Sequence, residues 1–147
     1  DLHIHDADMV RYLFGDPRRV SSTGTADEQG RVSFITTVYD FGKGPSVSTC
    51  GGFVSPESFP FQAEAFFNLE EAAVRLGEEV TVYPCEGEPY KLETAPEDGY
   101  YWELRDFVDA VSEGRPSKVV TPGDAVASIE LCLAELRSVL EHREISL

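Results

Sequence analysis

The sequence predicts an α+β domain, an open, mostly antiparallel β-sheet with helices packed on one face. Three observations predict it. Apolar residues recur at helical spacing at the start of the chain and again over its last third. The middle is a series of short segments rich in Val, Ile, Thr, Phe and Tyr, punctuated by Gly and Pro. No helix-length pattern interrupts those segments, which favours antiparallel neighbours over crossover-linked parallel ones.

Residues 1–14 read as a helix stopped by Gly15 and Pro17. At about 100° per residue, Asp1, His5, Asp8 and Tyr12 fall on one stripe, beside an apolar face of Leu2, Met9 and Leu13. Strand-like segments follow at 20–26, 31–41, 46–54, 61–67, 72–76, 79–83 and 89–92. Segment 31–41 is apolar on both sides, Val32, Phe34 and Val38 against Ile35, Tyr39 and Phe41. A half-wet sheet would alternate more cleanly, so both faces are expected to be covered, one of them by a partner subunit. Residues 101–112 predict a helix with a stripe of Leu104, Phe107, Val108 and Val111. A last helix starts at Thr121, with Pro122 at the first helical position and Asp124 in the first turn. Its stripe is Val126, Ile129, Leu133, Leu136 and Leu140.

The chain's 147 residues suffice for one domain, and 41% hydrophobic content places it among folded chains. The formal charge of −15 disfavours nucleic acid and anionic membrane surfaces as partners. Cys50, Cys85 and Cys132 are odd in number and widely spaced, which suits neither a disulfide framework nor a zinc knuckle and fits a cytoplasmic location. No leader or membrane-length apolar run is visible. The chain opens on an acidic segment without Met, and is expected to be a piece of a longer protein.

Chemistry concentrates at the start. Asp1 and His5 stand at i and i+4, so the side chains can meet, and a carboxylate beside an imidazole makes a proton-transfer pair. The same spacing is common on solvated helix faces, where Asp1 would simply cap the helix. A metal site of His3, His5 and Asp8 is disfavoured, because His3 and His5 lie about 200° apart on a helix. His142 reads as solvated. Gly51-Gly52 reads as a bulge or turn rather than a phosphate loop, and no nucleophile motif is present.

Residues 1–17, with Asp1, His5, Asp6, Asp8, Gly15 and Pro17, resemble the D-x-x-x-H-D/E-x-D-x-x-x-x-L/F-x-G-x-P motif of the Gfo/Idh/MocA oxidoreductases. Residues 100–116, with Tyr100, Glu103, Phe107, Gly114 and Pro116, resemble that family's Y-x-x-E-L-x-x-F-V-x-A-I-x-x-G-x-P helix, with Val111 in place of the Ile. Residues 121–130 resemble the start of its final helix. The resemblance implies a dihydrodipicolinate-reductase-like C-terminal domain covering residues 1–147, with the N-terminal Rossmann domain absent from this chain. It implies hydride transfer between NAD or NADP, bound by that missing domain, and a hydroxyl carbon of a sugar, inositol or related polyol. Asp1 and His5 would be catalytic and, with Tyr101, would bind substrate; residues 59–62 would line the pocket. The resemblance implies no cofactor-binding or metal residues within this chain, and assembly as a homodimer or tetramer through the open sheet face. The chain alone is expected to be inactive. The alternatives are a non-catalytic binding or oligomerisation module of the same fold, and a metal-dependent hydrolase built on His3, His5 and Asp8.

Overall fold

The computed structural model describes residues 2–147; Asp1, half of the expected catalytic pair, lies outside the described residues. The chain divides into two compact units, and each is described by itself.

The first unit runs to Ser55 and resumes over Pro116–Leu147. It holds helices α1 (Ile4–Phe14) and α3 (Pro122–Glu141) and strands β1 (Arg19–Ala26), β2 (Val32–Asp40), β3 (Val47–Gly52) and β8 (Ile145–Ser146). The strands form one antiparallel sheet in the order β3-β2-β1-β8. Both helices pack on one face of it. Val20 and Ser22 of β1, and Ile35, Thr37 and Tyr39 of β2, point into that face and are buried. Phe34, Thr36 and Val38 take the opposite side, as strand alternation requires, and Val38 is exposed there. Gly51 and Gly52 are strand residues, paired with Ile35 and Phe34, rather than the expected bulge or turn. The reason is room: a Cβ on Gly52 would lie 2.2 Å from the carbonyl oxygen of Ser33.

The core of this unit is Ala7, Val10, Val20, Tyr39, Leu131, Ala134 and Ile145. This corrects two apolar stripes. In α1 the sealed residues are Ala7 and Val10, while Leu13 is exposed. In α3 they are Ser128, Leu131, Ala134, Glu135, Ser138 and Val139, while Val126, Ile129, Leu133 and Leu140 are exposed. Small residues won over large ones because they let the helix approach β1 closely. At the contact, Ser138 Oγ accepts the backbone N–H of Ser22 at 2.8 Å and donates to the carbonyl of Arg143 at 2.6 Å.

The second unit, Pro56–Arg115, carries β4 (Ala65–Asn68), β5 (Ala72–Leu76), β6 (Val80–Pro84), β7 (Tyr90–Lys91) and α2 (Gly99–Glu113). Its strands form an antiparallel sheet in chain order. Helix α2 begins two residues earlier than the apolar pattern suggests, because Asp98 caps it by accepting the Tyr101 N–H at 2.9 Å. Gly114, left-handed at φ 62°, closes it. The stripe of Leu104, Phe107, Val108 and Val111 is exposed, not buried.

Candidate active site

Helix α1 carries the motif. It begins at Ile4, later than expected, with His3 as its N-cap and no side chain bonding the free N–H groups there. Gly15 at φ 79° ends it, its N–H donating to the Arg11 carbonyl at 2.8 Å. A polar clamp ties the helix to α3. Arg11 donates to the Asp124 carbonyl and to Ser128 Oγ, each at 2.8 Å, and Ser128 donates to Asp8 Oδ1 at 2.6 Å. Asp8 is therefore spent on structure. A further arm of Arg11 reaches Asp16 at 2.7 Å.

The two histidines of α1 have opposite environments. His5 is exposed on the first turn, and none of the described residues holds its imidazole by a hydrogen bond or ion pair. His3 turns inward. Its Nε2 lies 3.1 Å from Oε2 of Glu135, and its Nδ1 lies 3.3 Å from Oδ2 of Asp6. The ring N–H directions stray from both carboxylates, so these are close ion pairs rather than aligned hydrogen bonds. Glu135 is fully buried. Burial alone would lower the His3 pKa, but the carboxylates of Asp6 and Glu135 outweigh it and raise the imidazole to about 9. Tyr39 shares a 2.9 Å hydrogen bond with Thr49, and its hydroxyl is pushed well above the ordinary phenol value by burial and by the Glu135 charge. Cys132 is raised to about 11 for the same two reasons.

With His3 committed to Glu135 and Asp8 to Ser128, the residues of the metal alternative face different partners. Among the described residues, no three His, Cys, Asp or Glu side chains gather where they could hold a metal ion.

Tyr101 lies in the second unit, half-exposed in the first turn of α2. Its ring meets Trp102 edge-on at 5.2 Å, and its hydroxyl accepts from Arg105 at 3.4 Å. Arg105 pairs in turn with Asp109 at 3.0 Å, one helical turn further on. Phe59 and Phe61, within the expected pocket segment, are exposed. His142 is the exposed, left-handed C-cap of α3.

No family model matches the chain. Scyllo-inositol 2-dehydrogenase (NAD(+)) of Bacillus subtilis (strain 168) is 25% identical over 94% of this chain and 44% of its own length. Among solved structures, UDP-N-acetylglucosamine 3-dehydrogenase from Acidithiobacillus ferrooxidans superimposes with a TM-score of 0.81 at 19% identity, over 95% of this chain and 46% of that one. The aldose-aldose oxidoreductase of Caulobacter crescentus, complexed with glycerol, gives 0.80 at 18% identity, over 98% and 45%. An Agrobacterium radiobacter oxidoreductase in complex with NAD+, L-tartaric acid and magnesium gives 0.77 at 17%, over 99% and 48%. The fold is that of the Gfo/Idh/MocA oxidoreductases.

Within the Gfo/Idh/MocA fold this chain corresponds to the C-terminal part of its relatives, and it spans about half the length of those it matches. Sequence reasoning overlooked Glu135. Its signal was present, an acidic residue flanked at one-turn spacing by Leu131, Ser138 and Val139, on the helical face where small residues gather.

Proposed function

We propose that this chain is the substrate-binding half of an NAD(P)-dependent oxidoreductase acting on a hydroxyl carbon of a sugar, inositol or related polyol. The observation that carries the reading is the exposed His5 imidazole, standing at the histidine position of the resembled motif while its neighbours Asp6 and Asp8 are engaged by His3 and Ser128. The Bacillus relative, named for an inositol and NAD(+), and the sugar dehydrogenase and oxidoreductase neighbours support the substrate class.

The described residues do not fit a dinucleotide. Gly51 and Gly52 lie within a strand ladder, and the N-termini of α2 and α3 already carry the carboxylates of the N-cap Asp98 and of Asp124 in the first turn, which would repel a pyrophosphate. The hydride chemistry is therefore assigned to a nicotinamide held by a separate Rossmann domain outside this chain. This chain's share is orientation and the proton. An imidazole nitrogen of His5 accepts the substrate hydroxyl proton, and Asp1 orients that hydroxyl. The open sheet face of the first unit would serve assembly into a dimer or tetramer.

The test is kinetic. The complete protein is expected to reduce NAD+ or NADP+ with a member of a sugar and polyol panel. His5→Asn should lower kcat by roughly 100-fold or more with cofactor affinity unchanged. Wild-type turnover by His5→Asn, or NAD(P)+ reduction by the 147-residue chain alone, would overturn the reading.

A further inference from the structure

One turn before the buried Ser138 on the inward face of α3, Glu135 places a carboxylate with no solvent exposure against the start of α1. A buried charge is costly unless something answers it, and His3 answers this one from 3.1 Å. The room for the arrangement comes from β3. A Cβ on Gly51 would come within 3.3 Å of Asp6 Oδ2 and 3.9 Å of His3 Nδ1. The groups facing His3 are Asp6 from its own helix and Glu135 from α3, whose charge is felt in turn by Tyr39 of β2 and Cys132 of α3; β3 brings Gly51, with no side chain. His3 is also the N-cap of α1, and it has no capping hydrogen bond of its own to hold the turn. It stands two residues from Asp1 and two from His5. The opening turn of the helix is thus fastened from inside the protein, through the His3 side chain.

We infer that Glu135 and His3 are a positioning pair, in which the buried Glu135 carboxylate grips His3 and so holds the first turn of α1 that presents His5. This rests on the reading of His5 as the proton acceptor. Neither Glu135 nor His3 touches substrate; both act through the backbone of that turn. Small misplacements of an acid–base group lower the chemical step far more than substrate binding, so the effect belongs in kcat.

The complete protein tests this with Glu135→Gln, His3→Gln, the double variant and His5→Asn, each followed by thermal unfolding, by kcat and KM separately, and by the pH dependence of kcat. Glu135→Gln keeps the shape and removes the charge. It is expected to lower kcat roughly 10- to 100-fold with KM within about twofold, and to move the limb of the pH profile that reports the base. The double variant is expected to be no worse than the poorer single variant, because the two act as one unit. A residue that only stabilises would lower the melting temperature and leave kcat and the pH profile of the folded enzyme in place; that result overturns the inference. Should Glu135→Gln fail to fold, His3→Gln carries the same expectations and the same overturning result. If His5→Asn retains wild-type turnover, the functional reading falls. If His5→Asn is inactive while the pair variants keep wild-type kcat and pH profile, the positioning role alone falls.

Discussion

Ser138 completes a strand ladder that the chain leaves short. The β1–β8 pairing ends at Val20 and Ile145, and the next inward N–H on β1, that of Ser22, donates to the Ser138 hydroxyl at 2.8 Å. Ser22 in turn shares a 2.8 Å hydrogen bond with Thr37 on β2. Truncating Ser138 leaves a buried donor unanswered, which costs about 1–3 kcal/mol. Ser138→Ala is therefore expected to lose that much in denaturant unfolding, against a few tenths for the exposed Ser21→Ala. Equal stability of the two variants would show that the contact is unimportant.

The His3–Glu135 pair gives stability a pH dependence with a defined sign. The imidazole rises from 6.5 to about 9 on folding, so the folded state holds the proton more tightly than the unfolded one. Its contribution is fully present below pH 6.5 and is lost as pH climbs through about 9. Unfolding free energy should fall across that window by about 3 kcal/mol at most. His3→Gln should flatten that decline while being less stable at neutral pH, having left Glu135 buried without its cation. An undiminished alkaline decline in His3→Gln would assign it to other groups.

Thiol reactivity should separate the three cysteines. Cys50 and Cys85 are exposed. Cys132 is partly buried, with its thiol raised to about 11 by burial and the Glu135 charge, so little thiolate forms near neutrality. Under native conditions iodoacetamide is expected to modify Cys50 and Cys85 well before Cys132, read by peptide mass mapping. Simultaneous loss of all three would contradict the burial.

Glycines in the sheet and at the helix start should respond in opposite ways. A Cβ at Gly52 would meet the Ser33 carbonyl oxygen at 2.2 Å, whereas one at Gly99 meets nothing within 4 Å. Gly52→Ala is expected to cost about 1–3 kcal/mol by forcing β2 and β3 apart. Gly99→Ala should be neutral or stabilising by up to about 1 kcal/mol, since alanine favours the helix. Melting temperatures of both variants decide this.

Much of the order of elements was legible from local signals. Thr121, Pro122 and Asp124 announced α3, and the structure has a capping box there, with Asp124 accepting the Thr121 N–H at 2.8 Å. Ile35 and Tyr39 were correctly separated from Val38 by alternation alone. What failed was the choice between two apolar faces of one helix. Leu133 and Leu140 outweigh Ala134 and Ser138 on any hydrophobicity count, yet the partner strand fits only the small side. That preference is a property of β1 and its distance, which no window along α3 contains. The same limit hid Glu135, whose partner His3 stands 132 positions earlier in the chain. The strand β8 was too short to register as a pattern; it exists because β1 offers Arg19 and Val20 an antiparallel neighbour.

The inward side of α3 has a consequence for how that helix can move. Ser128, Glu135 and Ser138 each reach a different element, α1 for the first, the residue ahead of α1 for the second and β1 for the third. An apolar helix can roll in its seat by trading one methyl contact for another, at small cost. This one cannot, because any turn about its axis would strand all three groups together. Its azimuth is keyed, like a shaft with splines, and sliding along the axis is blocked by the same teeth.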